Sequence, residues 1–124
     1  MASTSIKVYA RVRPCLDHGR EVGGLAIDEL DPTRLRITFL QNEQYFHFEK
    51  IFWIDSLQNE IFTEVAIPMI DKALDGYNAT LFAYGQTGSG KTYTISGDGT
   101  RDRAGFIPRG IEYLFAHKDE DTSF

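Results

Sequence analysis

The chain has 124 residues, 42% of them hydrophobic and 25% charged, enough for one modest domain with a buried core. Its formal charge of −5 gives no electrostatic pull toward nucleic acid or an acidic surface. No apolar run approaches the roughly 20 residues of a membrane span, so neither nucleic acid nor membrane is expected as a partner.

Residues 1–5 are small and polar and carry no signal-peptide core. Residues 6–12 alternate apolar (Ile6, Val8, Ala10, Val12) with polar or aromatic positions, the pattern of a half-buried strand that stops at Pro14. Cys15 is the single cysteine; it cannot form an internal disulfide and suits a reducing, cytosolic setting. Residues 17–24 are polar and glycine-bearing and read as a loop. Residues 35–39 alternate again, Gln41-Asn42-Glu43 turns, and residues 45–48 return, a small hairpin at a sheet edge. The clearest helix spans about residues 57–75, where Ile61, Phe62, Val65, Ala66, Met69, Ile70, Ala73 and Leu74 recur as adjacent pairs every four residues. Asp55 or Ser56 is placed to cap its start and Gly76 to close it in the left-handed conformation, while Pro68 should kink it or free one carbonyl. Residues 97–105 form an exposed glycine-rich loop with Arg101 and Arg103. Ile107, Ile111, Leu114 and Phe115 then mark a last helix with Pro108 in its first turn. His18, His47 and His117 are scattered without metal-ligand spacing and read as solvated or packing groups.

Between the two helical stretches lies Gly85-Gln86-Thr87-Gly88-Ser89-Gly90-Lys91-Thr92. Gly, four residues, Gly-Lys-Thr is the P-loop pattern. A polyphosphate needs several backbone N–H groups aimed inward, one fixed cation and a hydroxyl for Mg²⁺. Glycine lets the backbone close around the phosphates without a Cβ in the way. Lys91 would reach the β- and γ-phosphates and the Thr92 hydroxyl would bind the metal. Upstream, Thr80-Leu81-Phe82-Ala83-Tyr84 is a short apolar run rich in strand formers, read as a central parallel strand covered on both faces. Downstream, residues 91–95 would begin the helix facing the phosphates. The order of elements fits an α/β nucleotide-binding sheet with the ligand at the carboxyl end of that strand.

The segment from Gly76 to Thr94, with the P-loop at its centre, resembles the P-loop region of a kinesin motor domain. Arg11-Val12-Arg13-Pro14 resembles the Arg-x-Arg-Pro that ends the family's first strand. Phe48-Glu49-Lys50-Ile51-Phe52 is similar to its Phe-Asp-x-Val-Phe, and Gly105-Phe106-Ile107-Pro108-Arg109 to its Gly-Ile-Ile-Pro-Arg. The resemblance covers nearly the whole chain and implies a kinesin-motor-like, P-loop NTPase sheet flanked by helices. It implies ATP and Mg²⁺ as ligands. Arg11, Arg13 and Pro14 would border the adenine and Tyr93 would stack on its other face, all surfaces on which a purine can rest. Tyr77, Phe82 and Phe48 read as core, and Arg101 and Arg103 receive no role.

The resemblance also has gaps. The family's switch I, an Asn-x-x-Ser-Ser-Arg-Ser-His run, and its switch II, an Asp-Leu-Ala-Gly run, lie downstream of the P-loop and hold Mg²⁺ and the attacking water. No Asn-x-x-Ser occurs in this chain, and its one Asp-x-x-Gly, Asp102-Arg103-Ala104-Gly105, sits in the glycine-rich loop with no apolar strand before it. The chain ends in an acidic stretch, Lys118-Asp119-Glu120-Asp121-Thr122-Ser123-Phe124. The resemblance therefore implies that residues 1–124 are the N-terminal part of a truncated motor domain, with no catalytic residue assigned within it. In the family's sheet a late strand lies between the first strand and the P-loop strand, and it is absent here. In the complete motor, ATP hydrolysis would drive movement along microtubules, in the cytoplasm and on the cytoskeleton. Contact of these residues with acidic tubulin is not expected. Two other readings stay open: a non-catalytic nucleotide-binding or regulatory fragment, and a P-loop kinase or NTPase of another type.

Overall fold

The computed structural model describes residues 6–14 and 24–118. Cys15, His18, most of the loop expected at residues 17–24 and the acidic residues 119–124 lie outside the described residues. The contacts divide the chain into two units, residues 1–55 and 56–124, and the architecture is α/β with parallel and antiparallel sheets plus helices.

In the first unit, β1 (Tyr9–Arg11) is shorter than the alternation over residues 6–12 suggests. After β1 come β2 (Leu25–Ile27), β3 (Arg34–Phe39), β4 (Asn42–His47) and β5 (Lys50–Phe52). Strand β1 pairs in parallel with β5, Ala10 lying opposite Ile51. The bonds Glu49 N–H to Val8 C=O (2.8 Å) and Val12 N–H to Phe52 C=O (2.9 Å) extend the ladder at both ends. Strands β2, β3 and β4 form an antiparallel meander. Its period-two pattern puts Leu25, Ile27, Leu35 and Ile37 on one face, where they pack with Val12, Ile51, Phe48 and Trp53. Phe48 is thus a core residue, as expected. The hairpin turn falls at Leu40 and Gln41, one residue earlier than the polar run suggests, because Phe39 pairs directly with Asn42. That two-residue connection forces Leu40 to φ 57°, a region that favours glycine or asparagine. Between β2 and β3, the Asp28 carboxylate accepts the Leu30 N–H and is paired with Arg34. Asp31 accepts the Thr33 N–H (3.0 Å) and hydroxyl (2.6 Å).

The second unit begins with the long helix, in three consecutive segments: α1 (Gln58–Ile61), a π turn over Phe62–Ala66, and α2 (Ile67–Leu74). Pro68 explains the middle segment. Without an N–H it cannot bond the carbonyl four residues back. The wider turn carries the Ile67 N–H to the Phe62 C=O instead, so the expected irregularity is a π turn. The cap differs from expectation: the helix starts at Leu57, whose N–H is accepted by the Glu60 carboxylate at 2.9 Å, and neither Asp55 nor Ser56 caps it. Gly76 closes it at φ 96°, with Gly76 N–H on Ala73 C=O and Tyr77 N–H on Lys72 C=O. The remaining helices are α3 (Lys91–Ile95) and α4 (Phe106–His117). The Phe62 ring meets Phe106 and Tyr113 edge-on at 6.0 and 6.4 Å, and the Tyr113 hydroxyl donates to Asp71 at 2.6 Å. These contacts hold α4 against the long helix.

The strand expected over residues 80–84 does not form. Those residues join no ladder among the described residues, and Phe82 and Tyr84 are 75% and 95% exposed rather than covered on both faces. Tyr77, also expected in the core, is 69% exposed. The residue types permit an extended backbone, but a strand exists only where a neighbour supplies hydrogen bonds.

A candidate phosphate-binding loop and its supports

Residues 85–90 run directly into α3, the loop-to-helix order that the motif requires. Gly88 has φ 83° and Gly90, which caps α3, has φ 108°. Both values favour glycine, and a Cβ at either position would meet no atom within 4 Å, so it is the backbone conformation and not crowding that calls for glycine here. At Gly85 a Cβ would meet the Ser89 hydroxyl, which would have to rotate away to admit one. Ser89 donates its N–H to the Gln86 carbonyl at 3.0 Å and closes the turn. The first intrahelical bond runs from Thr94 N–H to Gly90 C=O. The N–H groups of Gly88, Gly90, Lys91 and Thr92 make no backbone bond among the described residues, which is the supply of donors an oxyanion needs. Thr87, Gly88, Gly90, Lys91, Thr92 and Tyr93 together line a cavity of about 400 Å³. N–H groups without a backbone partner, one lysine and the Thr92 hydroxyl fit a polyphosphate with its divalent cation.

Two supports hold α3, behind this loop, that residue pattern alone did not single out. Gln58 is 4% exposed, and its Nε2 donates to the Tyr93 carbonyl (2.7 Å) and the Arg103 carbonyl (3.1 Å). A signal was present: Gln58 stands with Ile61, Phe62 and Val65 at helical spacing, one polar residue on an apolar stripe. The second support is the start of α4. A Cβ at Gly105 would come within 2.5–2.6 Å of backbone atoms of Ile95 and Ser96, so only glycine lets α4 begin against the end of α3. Arg109 then donates to the Ala104 carbonyl (2.7 Å) and the Asp102 carbonyl (3.0 Å), fixing the intervening loop. In that loop Arg103 pairs with Asp98 at 3.3 Å, and Asp98 also accepts the Thr100 N–H and hydroxyl. These contacts hold the Asp98 carboxyl below the usual carboxylate range, the Thr100 bonds contributing most. Asp102 is an exposed loop residue that serves Arg109 through its carbonyl.

Of the residues expected to frame a base, Tyr93 lines the cavity and is 37% exposed. Arg11, Arg13 and Pro14 belong to the first unit: Arg11 is half-buried opposite Phe52, and Arg13 and Pro14 are exposed.

Residues 11–124 match the kinesin motor domain. The chain belongs to the kinesin motor domain family. It is 38% identical to kinesin-like protein KIF15 of Rattus norvegicus over 94% of its length, and 43% identical to kinesin-like protein KIN-14B of Oryza sativa subsp. japonica over the same share. Kinesin-related protein 7 of Dictyostelium discoideum is 40% identical over 98% of the chain. The chain spans only 9%, 14% and 10% of those three kinesins. The kinesin family is in general an ATPase family that uses nucleotide with Mg²⁺.

Proposed function

We propose that residues 1–124 form the ATP-binding part of a kinesin-type microtubule motor, in whose complete form ATP hydrolysis drives movement along microtubules in the cytoplasm. The observation that carries this reading is the open hollow lined by Thr87, Gly88, Gly90, Lys91, Thr92 and Tyr93, four of whose N–H groups make no backbone bond among the described residues. The N–H groups of Gly88, Gly90, Lys91 and Thr92 would hold phosphate oxygens, and the Lys91 ammonium would add a mobile point charge. Thr92 would offer its hydroxyl to Mg²⁺, which would supply positive charge against the phosphates. Tyr93 would offer its ring to the adenine, Gln86 and Thr87 would line the phosphate path, and Gly85 and Ser89 would keep the turn closed. For Arg11, Arg13 and Pro14, which belong to the other unit, a role at the adenine rests on the family resemblance alone.

For the 124 residues by themselves the reading is nucleotide binding without turnover. Its support is that the chain's one Asp-x-x-Gly lies in a loop where the Asp102 carbonyl accepts from Arg109 and Gly105 packs against Ile95. The test is thermal unfolding with and without Mg²⁺–ATP. A ligand that prefers the native state must raise the melting temperature, by the equivalent of about 2.7 kcal/mol at a hundredfold excess over Kd. The gain should vanish in Lys91→Ala. Equal gains in both proteins would remove the P-loop reading, and phosphate release above the Lys91→Ala control would remove the claim of no turnover.

A further inference from the structure

We infer that Gln58 is a positioning residue that sets recognition of the base, acting through Tyr93; the inference rests on the nucleotide reading above. Gln58 lies at the start of the long helix, buried between exposed neighbours, and both of its recorded Nε2 bonds end on backbone carbonyls far along the chain. One acceptor is the carbonyl of Tyr93, which also receives the Gly97 N–H at 3.0 Å. The other belongs to Arg103, in the loop that returns to Gly105. A buried amide must satisfy its donors, so α3 and the returning loop are held at the distance of a single side chain.

Helix α3 has five residues and too few bonds of its own to fix its rotation. Its beginning is set by the turn from Gln86 to Ser89 and by the Thr94 to Gly90 bond, which together aim the phosphate donors. Its later part is set by Gln58 and by Gly105 against Ile95. Tyr93 is the middle residue, and it lines the cavity. Removing the Gln58 donors frees the rotation of α3 where the ring is attached and leaves the loop before Lys91 in place. The two acceptors require an amide. A carboxylate at position 58 would turn negative oxygens toward two carbonyls.

The experiment compares binding of Mg²⁺–ATP with binding of Mg²⁺–tripolyphosphate, which has no base, by calorimetry on the full chain. Gln58→Met, similar in shape and without donors, should bind ATP about tenfold more weakly, the ratio that corresponds to ~1.4 kcal/mol. Its tripolyphosphate affinity should stay within about twofold, well inside that single-decade shift. The Gln58→Met loss should disappear in a Tyr93→Ala background, as coupling between the two residues demands. Equal losses for both ligands, an unchanged ratio, or additive effects with Tyr93→Ala would each overturn the proposal. In the unaltered chain, ATP and not tripolyphosphate should slow hydrogen exchange of the Gln58 side-chain amide, a reading independent of whether the variant folds; equal slowing by both, or by neither, overturns it. If the unaltered chain holds neither ligand, the nucleotide reading itself falls and takes this inference with it. Retention of both ligands with an unchanged ratio in Gln58→Met removes the role of Gln58 alone.

Discussion

Gly105→Ala tests the packing that supports the candidate site. Gly105 has φ −85° and ψ −164°, which any residue adopts, so the substitution carries no conformational penalty and its effect is steric alone. The added Cβ would meet the Ile95 carbonyl carbon at 2.5 Å, its oxygen at 2.6 Å and the Ser96 nitrogen at 2.6 Å. Ordinary carbon contacts lie near 3.5–4.0 Å, so α3 and α4 must separate by about 1 Å, and all three obstructing atoms are backbone. Overpacking of this kind costs about 1–3 kcal/mol, and a backbone obstruction belongs at the upper end. At ~4 °C per kcal/mol for a chain of this length, a ~3 kcal/mol loss lowers the melting temperature by roughly 12 °C, measurable by far-ultraviolet circular dichroism. Gly110→Ala is the control. It lies inside α4, its nearest neighbour would be Ile70 Cδ1 at 3.7 Å, and it should gain stability by about 0.4–1 kcal/mol. A Gly105→Ala protein melting within ~2 °C of the parent, a loss of at most about half of one kcal/mol, would refute the close approach of Ile95 to the start of α4.

Three other outcomes follow from described geometry. Leu40→Gly should stabilise the β3–β4 hairpin by about 1 kcal/mol, because glycine accepts the left-handed φ that leucine resists; chemical denaturation reads the shift in midpoint. Asp28 and Asp31 have carboxyls held below their usual range, Asp28 first by the Leu30 N–H and then by Arg34, Asp31 by the Thr33 hydroxyl and N–H. A carboxyl lowered by folding adds stability that is complete above its unfolded value, near 3.9, and is lost as pH falls through its folded value. Urea midpoints should therefore be flat above about pH 5 and fall in stronger acid, with a shallower fall in Asp31→Asn. Thr92→Val should retain phosphate affinity without Mg²⁺ and lose most of the metal's contribution, read by calorimetry with and without the cation.

What could be read from residues alone was what local chemistry dictates. The hairpin was legible because Leu35, Ile37 and Phe39 alternate, and the long helix because its apolar pairs recur. The glycine loop leading into α3 was legible because its glycines fall where the backbone turns left-handed, at Gly88 and Gly90. Misread features depended on distant partners. Residues 80–84 have the composition of a buried strand and pair with no strand among the described residues. Strands β2 and β5, three residues each, are too short to show a period and exist through the strands beside them. Gln58 looked like a polar residue near a helix start until its two acceptors, 35 and 45 positions away, were seen.

The π turn over Phe62–Ala66 has a consequence for how the long helix is wound. Its apolar pairs recur every four residues, whereas an α-helix turns once in 3.6, so each pair should advance about 40° around the axis beyond the last. The wider turn absorbs part of that advance, and Ile61, Phe62, Val65 and Ala66 are buried together. Past Pro68 ordinary winding resumes and the stripe slips outward: Met69 and Ile70 are half-buried and Ala73 is exposed. Deleting one residue from 62–66 would turn the whole apolar side of α2 by roughly 100° relative to α1. No point substitution does that. The pitch of this helix, more than any single contact, selects which of its side chains reach α4.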